Sequence, residues 1–232
     1  MVVDRLPGPS GLQIQSANDL VYEALRSQIM EALEPGAPLQ LIEVANRLAV
    51  SITPVRSALE RLIAEGLVVR ERHRGASVAP LSLPDFLDIY AVRTALEGMA
   101  ARLGAPAMTE EDCAAMCTCM EELRAIPEAG GHDLNTYLRL QWDMHEVCYA
   151  ASGHVRLLRE IRLYRRQAER YLRLALGREA LIVEDFIYQK SYLEACLTHD
   201  GAKAERMLRL LMKWTVDRVG ELLGDFGESS QG

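Results

Sequence analysis

The 232-residue chain is 49 % hydrophobic and 25 % charged, the makeup of an ordinary globular protein able to bury one or two substantial cores, so two domains are the expected organisation. No run of about 18 or more apolar residues is present to span a bilayer, and the opening "MVVDRLPGPSGLQIQS" lacks the apolar stretch of a secretory signal, so a cytoplasmic protein without membrane contact is expected. The net charge of −7 excludes a chain that meets nucleic acid with its whole surface, though not one with a local basic face.

After a flexible lead over residues 1–16, "NDLVYEALRSQIMEAL" places Val21, Leu25 and Ile29, with Leu33 beyond, at the three-to-four spacing of an amphipathic helix, and "EPGAP" stops it. A short helix fits "LIEVANRLA", with Leu41, Val44, Ala45 and Leu48 inward. "SITPVRSALERLIAEG" fits a third helix that buries Val55, Leu59, Leu62 and Ile63 and ends at Gly66; Ser51 or Thr53 can cap it, and Pro54 suits a first turn because its missing donor has no partner there. "LVVRERHRGASVAPL" reads as two short strands, with Leu67 to Val69 leading in, Arg72, His73, Arg74 and Gly75 at the tip, and Ser77 to Ala79 returning. Three helices and a β-hairpin predict a winged helix-turn-helix over residues 17–80.

Charge favours the same part of the chain. Between Arg47 and Arg74 six arginines stand against three glutamates, a positive window in an acidic protein. In a helix-turn-helix the N-terminal part of the second helix enters the major groove, and Thr53, Arg56, Ser57 and Glu60 occupy its outward side, next to Ser51. Arg56 can pair bidentately with guanine O6 and N7 or grip a phosphate, while the arginines of the wing reach the neighbouring backbone or minor groove. The competing reading of Arg56 and Glu60, at i and i+4, is a solvated surface pair.

From Ser82 onward the periodicity is helical throughout. "LSLPDFLDIYAVRTALEGMAARLG" puts Ile89, Val92, Leu96, Met99 and Leu103 on one face, "TEEDCAAMCTCMEELRAI" opens on Thr109 with Asp112 three residues on, and further helices fit 133–151, 154–176, 180–198 and 201–223. The expected fold class is therefore mainly α: the winged helix, then an all-α bundle of about six helices over residues 82–224, and a flexible tail over 225–232. Several polar residues fall on its apolar faces. Gln141 and His145 sit in the stripe Leu134, Leu138, Cys148; Gln189 sits among Ile182, Phe186, Leu193 and Cys196; Arg93 and Arg165 lie on faces that carry leucine and isoleucine. For each alone a satisfied core residue is the competing reading, but recurrence on several helices favours an internal ligand pocket.

Other chemistries find less support. The five cysteines suit reduced thiols; Cys113 and Cys117 lie one turn apart, but without a second pair they read as small helix-packing residues rather than metal ligands. "HEVCY" begins like a helical zinc-protease motif, yet Tyr149 stands where the second histidine is required, and no nucleophile elbow or phosphate loop occurs. A metal-dependent hydrolase is thus the weakest alternative, and a helical scaffold protein is another that would not need the basic wing.

The motifs "TPVRSAL", "RLIAEGLV" and "RGASV" resemble the GntR family of bacterial transcriptional regulators in its FadR-like branch, a resemblance that implies a homodimer binding double-stranded operator DNA. Two departures stand out: the family usually has arginine, a DNA contact, where this chain has Ile52, and glycine where it has Ala49, at a cost of about 1 kcal/mol if that residue is left-handed. The segments "AVRTALEGMAARL", "WDMHEVCYAASGH" and "ACLTHDGAKAERM" resemble the FCD ligand-sensing domain. That resemblance implies a small-molecule effector that lowers operator affinity, such as an organic acid or related metabolite, with Arg93 and Arg165 suited to a carboxylate. Many FCD domains hold a metal through an aspartate and three histidines; those positions align here with Gln141, His145, Gln189 and Leu211, so only His145 is retained and no metal cofactor is expected.

Overall fold

Ala49 adopts φ 53° and ψ 42°, a left-handed conformation that closes one short helix and turns the chain into the next. The fold around it was described in a computed structural model over residues 16–32, 34–71, 75–128 and 133–229. Leu33, the lead up to residue 15, Arg72, His73 and Arg74 lie outside these described residues. The chain divides into two compact units between Pro80 and Leu81.

In the first unit, α1 (Ala17–Glu31) starts where the Ser16 hydroxyl accepts from the Asp19 N–H at 3.3 Å, and it buries Val21, Tyr22, Leu25 and Ile29. Helices α2 (Leu41–Leu48) and α3 (Ile52–Ala64) form the helix-turn-helix around Ala49, and Val55 and Leu62 of α3 are fully buried beside Leu25. The expected cap on α3 does not form. Ser51 occupies the capping position in extended backbone without a side-chain bond, and Thr53 is already helical, so first-turn N–H groups remain open to an outside partner.

Three strands complete this unit in the order β1 (Pro38–Leu39), β3 (Gly75–Val78), β2 (Val68–Glu71), all antiparallel, with Val68 opposite Val78 and Glu71 opposite Gly75. Two residues are too few to show a period, which is why β1 is not legible in the sequence; Pro38 is tolerated because β1 is an edge strand. Gly75 belongs to β3 rather than to the tip, where φ +91° suits a residue without a side chain.

The second unit is helical: α4 (Leu83–Gly104) with a short 3₁₀ turn after it, α5 (Glu110–Glu128), α6 (Leu134–Ala151), α7 (Val155–Leu176), α8 (Glu179–Leu197) and α9 (Gly201–Ser229). Among the described residues no helix is long and apolar enough to cross a membrane. Helix starts follow the expected chemistry: Thr109 and Asp112 cap each other's N–H groups at 3.2 and 2.8 Å, and Asp133 accepts from Thr136 N–H at 3.0 Å.

Two expectations need correction. The buried face of α4 carries Phe86, Ile89, Tyr90, Arg93, Glu97, Ala100, Ala101 and Gly104, whereas Met99 is 50 % and Leu103 38 % exposed. Close helix packing, rather than hydrophobicity alone, decides the face: a Cβ on Gly104 would sit 1.9 Å from the Cys148 carbonyl oxygen, so α6 crosses where α4 has no side chain. Helix α9 also continues to Ser229 through the segment expected as tail, since Gly224 and Gly227 lower helix propensity without forbidding the helix.

Candidate DNA interface and ligand cavity

Helix α3 separates its side chains cleanly. Pro54, Val55, Ala58, Leu59 and Leu62 are buried, while Ser51, Ile52, Thr53, Arg56, Ser57 and Glu60 are exposed. The surface pair between Arg56 and Glu60 does not form, because Glu60 takes Arg70 of β2 in an ion pair. Arg56 has no hydrogen-bond or ion-pair partner among the described residues, and it borders an open groove of 570 Å³ with Ile42, Glu60, Arg70 and Gly75.

Other arginines of the basic window serve the fold. Arg47 donates to Gln28 at 2.7 Å, and Arg61 lies 3.6 Å over the Tyr22 ring with Asp19 and Glu65 within reach. Arg56 is therefore a cation that the fold does not use, on the side of α3 that a major groove would meet.

All five residues proposed for a ligand pocket line one cavity in the second unit: Arg93 from α4, Gln141 and His145 from α6, Arg165 from α7 and Gln189 from α8. They are buried, at 0 to 8 % exposure, and joined by residues that the sequence reading passed over. Arg93 Nε donates to Glu97 Oε1 at 2.7 Å, and the Tyr149 hydroxyl donates to Glu97 Oε2 at 2.8 Å. His145 places Nδ1 at 2.9 Å from that hydroxyl and Nε2 at 2.7 Å from Gln189 Oε1. Asp185 accepts from Tyr137 at 2.7 Å, from Gln141 at 3.1 Å and from Gln189 at 3.3 Å. Glu97, Tyr149 and Asp185 each stand four residues from a residue already singled out, and that one-turn spacing is the signal that could have found them.

Burial sets the charges here. It lowers His145 from 6.5 to about 4, against the Gln189 bond and Glu97, so the imidazole is neutral at ordinary pH. It raises Asp185 to about 6, although the hydrogen bonds from Tyr137, Gln189 and Gln141 oppose it. Burial also works against the Arg93 cation, but Glu97 outweighs it and the pKa is raised; for Arg165 burial and the nearby Arg93 leave it lowered. Arg93 Nη1 is buried with no hydrogen-bond partner, and Arg165 spends one guanidinium nitrogen on the Leu138 carbonyl at 3.4 Å. The cavity's free volume is 20 Å³, room for about one water.

Leu211 joins Gln141, His145 and Gln189 on this cavity, so the four positions aligned with the FCD metal ligands do meet in space. Their chemistry does not fit a divalent metal. Both imidazole nitrogens are engaged, the two amides are weak ligands and leucine is none, and among the described residues no group of three His, Cys, Asp or Glu side chains could hold an ion. The five cysteines are free thiols, with the Cys196 thiol donating to the Cys148 sulfur at 3.8 Å. Tyr149, in the protease-like "HEVCY", is committed to Glu97.

Comparison with known proteins agrees with both units. Residues 18–78 match the bacterial regulatory proteins of the gntR family, and residues 88–213 match the FCD domain. The chain is 28 % identical over 214 residues to the uncharacterized HTH-type transcriptional regulator BphR of Paraburkholderia xenovorans, covering 89 % of this chain and 86 % of that one. It is 28 % identical over 202 residues to the HTH-type transcriptional repressor GlaR of Escherichia coli, covering 81 % and 89 %. To the repressor RspR of the same organism it is 31 % identical over 134 residues, 57 % of this chain and 58 % of that one. The solved structure of E. coli McbR/YncC shares the fold, with a TM-score of 0.76 at 24 % identity over 90 % of this chain and 99 % of that one. By these matches the chain belongs to the GntR family of bacterial transcriptional regulators, with an FCD domain, and is not an enzyme.

Proposed function

We propose that this regulator is a homodimeric repressor whose operator affinity falls when a small carboxylate-bearing metabolite enters the cavity of the helical domain, without a metal. The observation that carries the reading is Arg93: a buried guanidinium held by one carboxylate, Glu97, with Nη1 unpartnered beside a second buried arginine. An incoming carboxylate can pair with both guanidinium groups in a medium of low dielectric, where charge-assisted bonds are strong. The present volume accepts a water and no metabolite, so entry must spread the helices that line the cavity, and that spreading gives the ligand different affinities for two arrangements of the protein. DNA and effector then oppose each other reciprocally.

A screen of organic acids by thermal shift, followed by gel-shift of the hits against the chain's own upstream DNA, tests this. A hit should raise the melting temperature and weaken the DNA complex; if no acid shifts the melt, or hits leave the DNA complex untouched, the sensing reading fails. Metal analysis after purification without added metal should find no stoichiometric ion. Light scattering at micromolar concentration should give twice the chain mass, since paired helix-turn-helix modules read two half-sites.

A further inference from the structure

Helix α3 opens on an apolar side chain that lies outside both hydrophobic cores and keeps much of its surface open to solvent. Ile52 is 42 % exposed and belongs to neither hydrophobic core, yet it stands between exposed Ser51 and Thr53 at the N-terminal end of α3. It also lies four residues before Arg56, so the two side chains are neighbours on one side of the helix. One is a cation with no hydrogen-bond or ion-pair partner among the described residues, the other a branched hydrocarbon left 42 % exposed. The major groove offers a match for both: acceptors on guanine O6 and N7 or on phosphate for Arg56, and the C5-methyl of thymine as the apolar group on its floor.

We propose that Ile52 is a specificity-determining residue that packs on the C5-methyl of a thymine in the operator, beside the base or phosphate engaged by Arg56. The proposal rests on the reading of α3 as the groove-entering helix. It makes recognition at this position depend on shape and dehydration rather than on charge, so the position adds sequence preference without adding salt dependence. Isoleucine suits the task because its β-branched side chain has few rotamers to lose on contact.

The test uses the full chain, a duplex that the chain selects from a random-sequence library, and copies of that duplex in which each thymine in turn is replaced by deoxyuridine, which removes the 5-methyl and nothing else. A deoxyuridine at one position in each half-site should weaken the wild-type complex about three- to tenfold, the value of one buried methyl contact. Ile52→Val should keep that sensitivity. Ile52→Ala should bind the thymine and uracil duplexes equally, with an unchanged salt slope. Ile52→Arg should lose the sensitivity and steepen the salt slope by about one unit. A selected duplex with no methyl-sensitive thymine, or an Ile52→Ala variant that still distinguishes thymine from uracil, overturns the proposal while leaving DNA binding in place. A chain that selects no duplex overturns the DNA-binding reading itself, and this proposal with it.

Discussion

Gln189 binds His145 with one end of its amide, at 2.7 Å, and Asp185 with the other, at 3.3 Å, so a single side chain connects two buried groups whose protonation folding shifts in opposite directions. Folding raises Asp185 from 3.8 to about 6; the folded state keeps a proton that the unfolded chain has lost, and this group favours the fold more as pH falls through that window. Folding lowers His145 from 6.5 to about 4; the folded state refuses a proton that the unfolded chain accepts, and this group favours the fold less as pH falls. In the wild type the two effects offset each other. Relative to wild type, His145→Gln should gain about 1–2 kcal/mol of stability between about pH 7 and pH 5, and Asp185→Asn should lose a similar amount. Urea unfolding followed at the two pH values checks both signs, and parallel pH profiles for all three proteins would count against the opposition.

Glu97 holds Arg93 at 2.7 Å with both side chains almost fully buried. Removing the carboxylate leaves an uncompensated buried cation, and Glu97→Gln should destabilise the helical domain by about 3–5 kcal/mol. Since the vacated position suits an anion, organic acids should raise the melting temperature of this variant more than that of wild type. Calorimetry on the two proteins with and without the best acid decides it; equal shifts would detach Glu97 from the ligand site.

Arg56→Ala should weaken operator binding by about 1–3 kcal/mol if the guanidinium reads a base, with relaxed preference at that position. Footprinting of wild type and variant measures the loss. Equal affinities would place Arg56 outside the interface.

Ala49 carries φ 53° at the turn between α2 and α3, where only glycine escapes the contact between Cβ and the following carbonyl. Ala49→Gly should stabilise the winged helix by about 0.5–1 kcal/mol, the strain relieved less the entropy that glycine adds to the unfolded chain. Hydrogen exchange at buried amides of α3 reads this directly, as slower exchange in the variant.

The helices of both units were legible because they are long enough to repeat an apolar spacing and several begin or end on a recognisable cap or breaker, such as Thr109 and Gly66. The ligand residues Arg93, Gln141, His145, Arg165 and Gln189 were legible for a related reason: a polar side chain in an apolar stripe must point inward, whatever it meets there. What each meets is a matter of neighbours from other helices. Glu97 and Asp185 do not stand out along the chain, and their role follows only from α4, α6 and α8 bringing Arg93, Tyr149, Tyr137 and the two glutamines to them.

The sequence by itself determined where helices form, which unit is basic and which polar residues turn inward, since those depend on spacing, capping and local charge along one chain. Tertiary structure alone decided that Glu60 leaves Arg56 for Arg70, that α4 buries its glycine and alanine side instead of Met99 and Leu103, and that five inward polar groups share one small cavity. These outcomes turn on distances between residues far apart in sequence, where close packing and hydrogen-bond satisfaction outweigh the hydrophobicity of any single helix face.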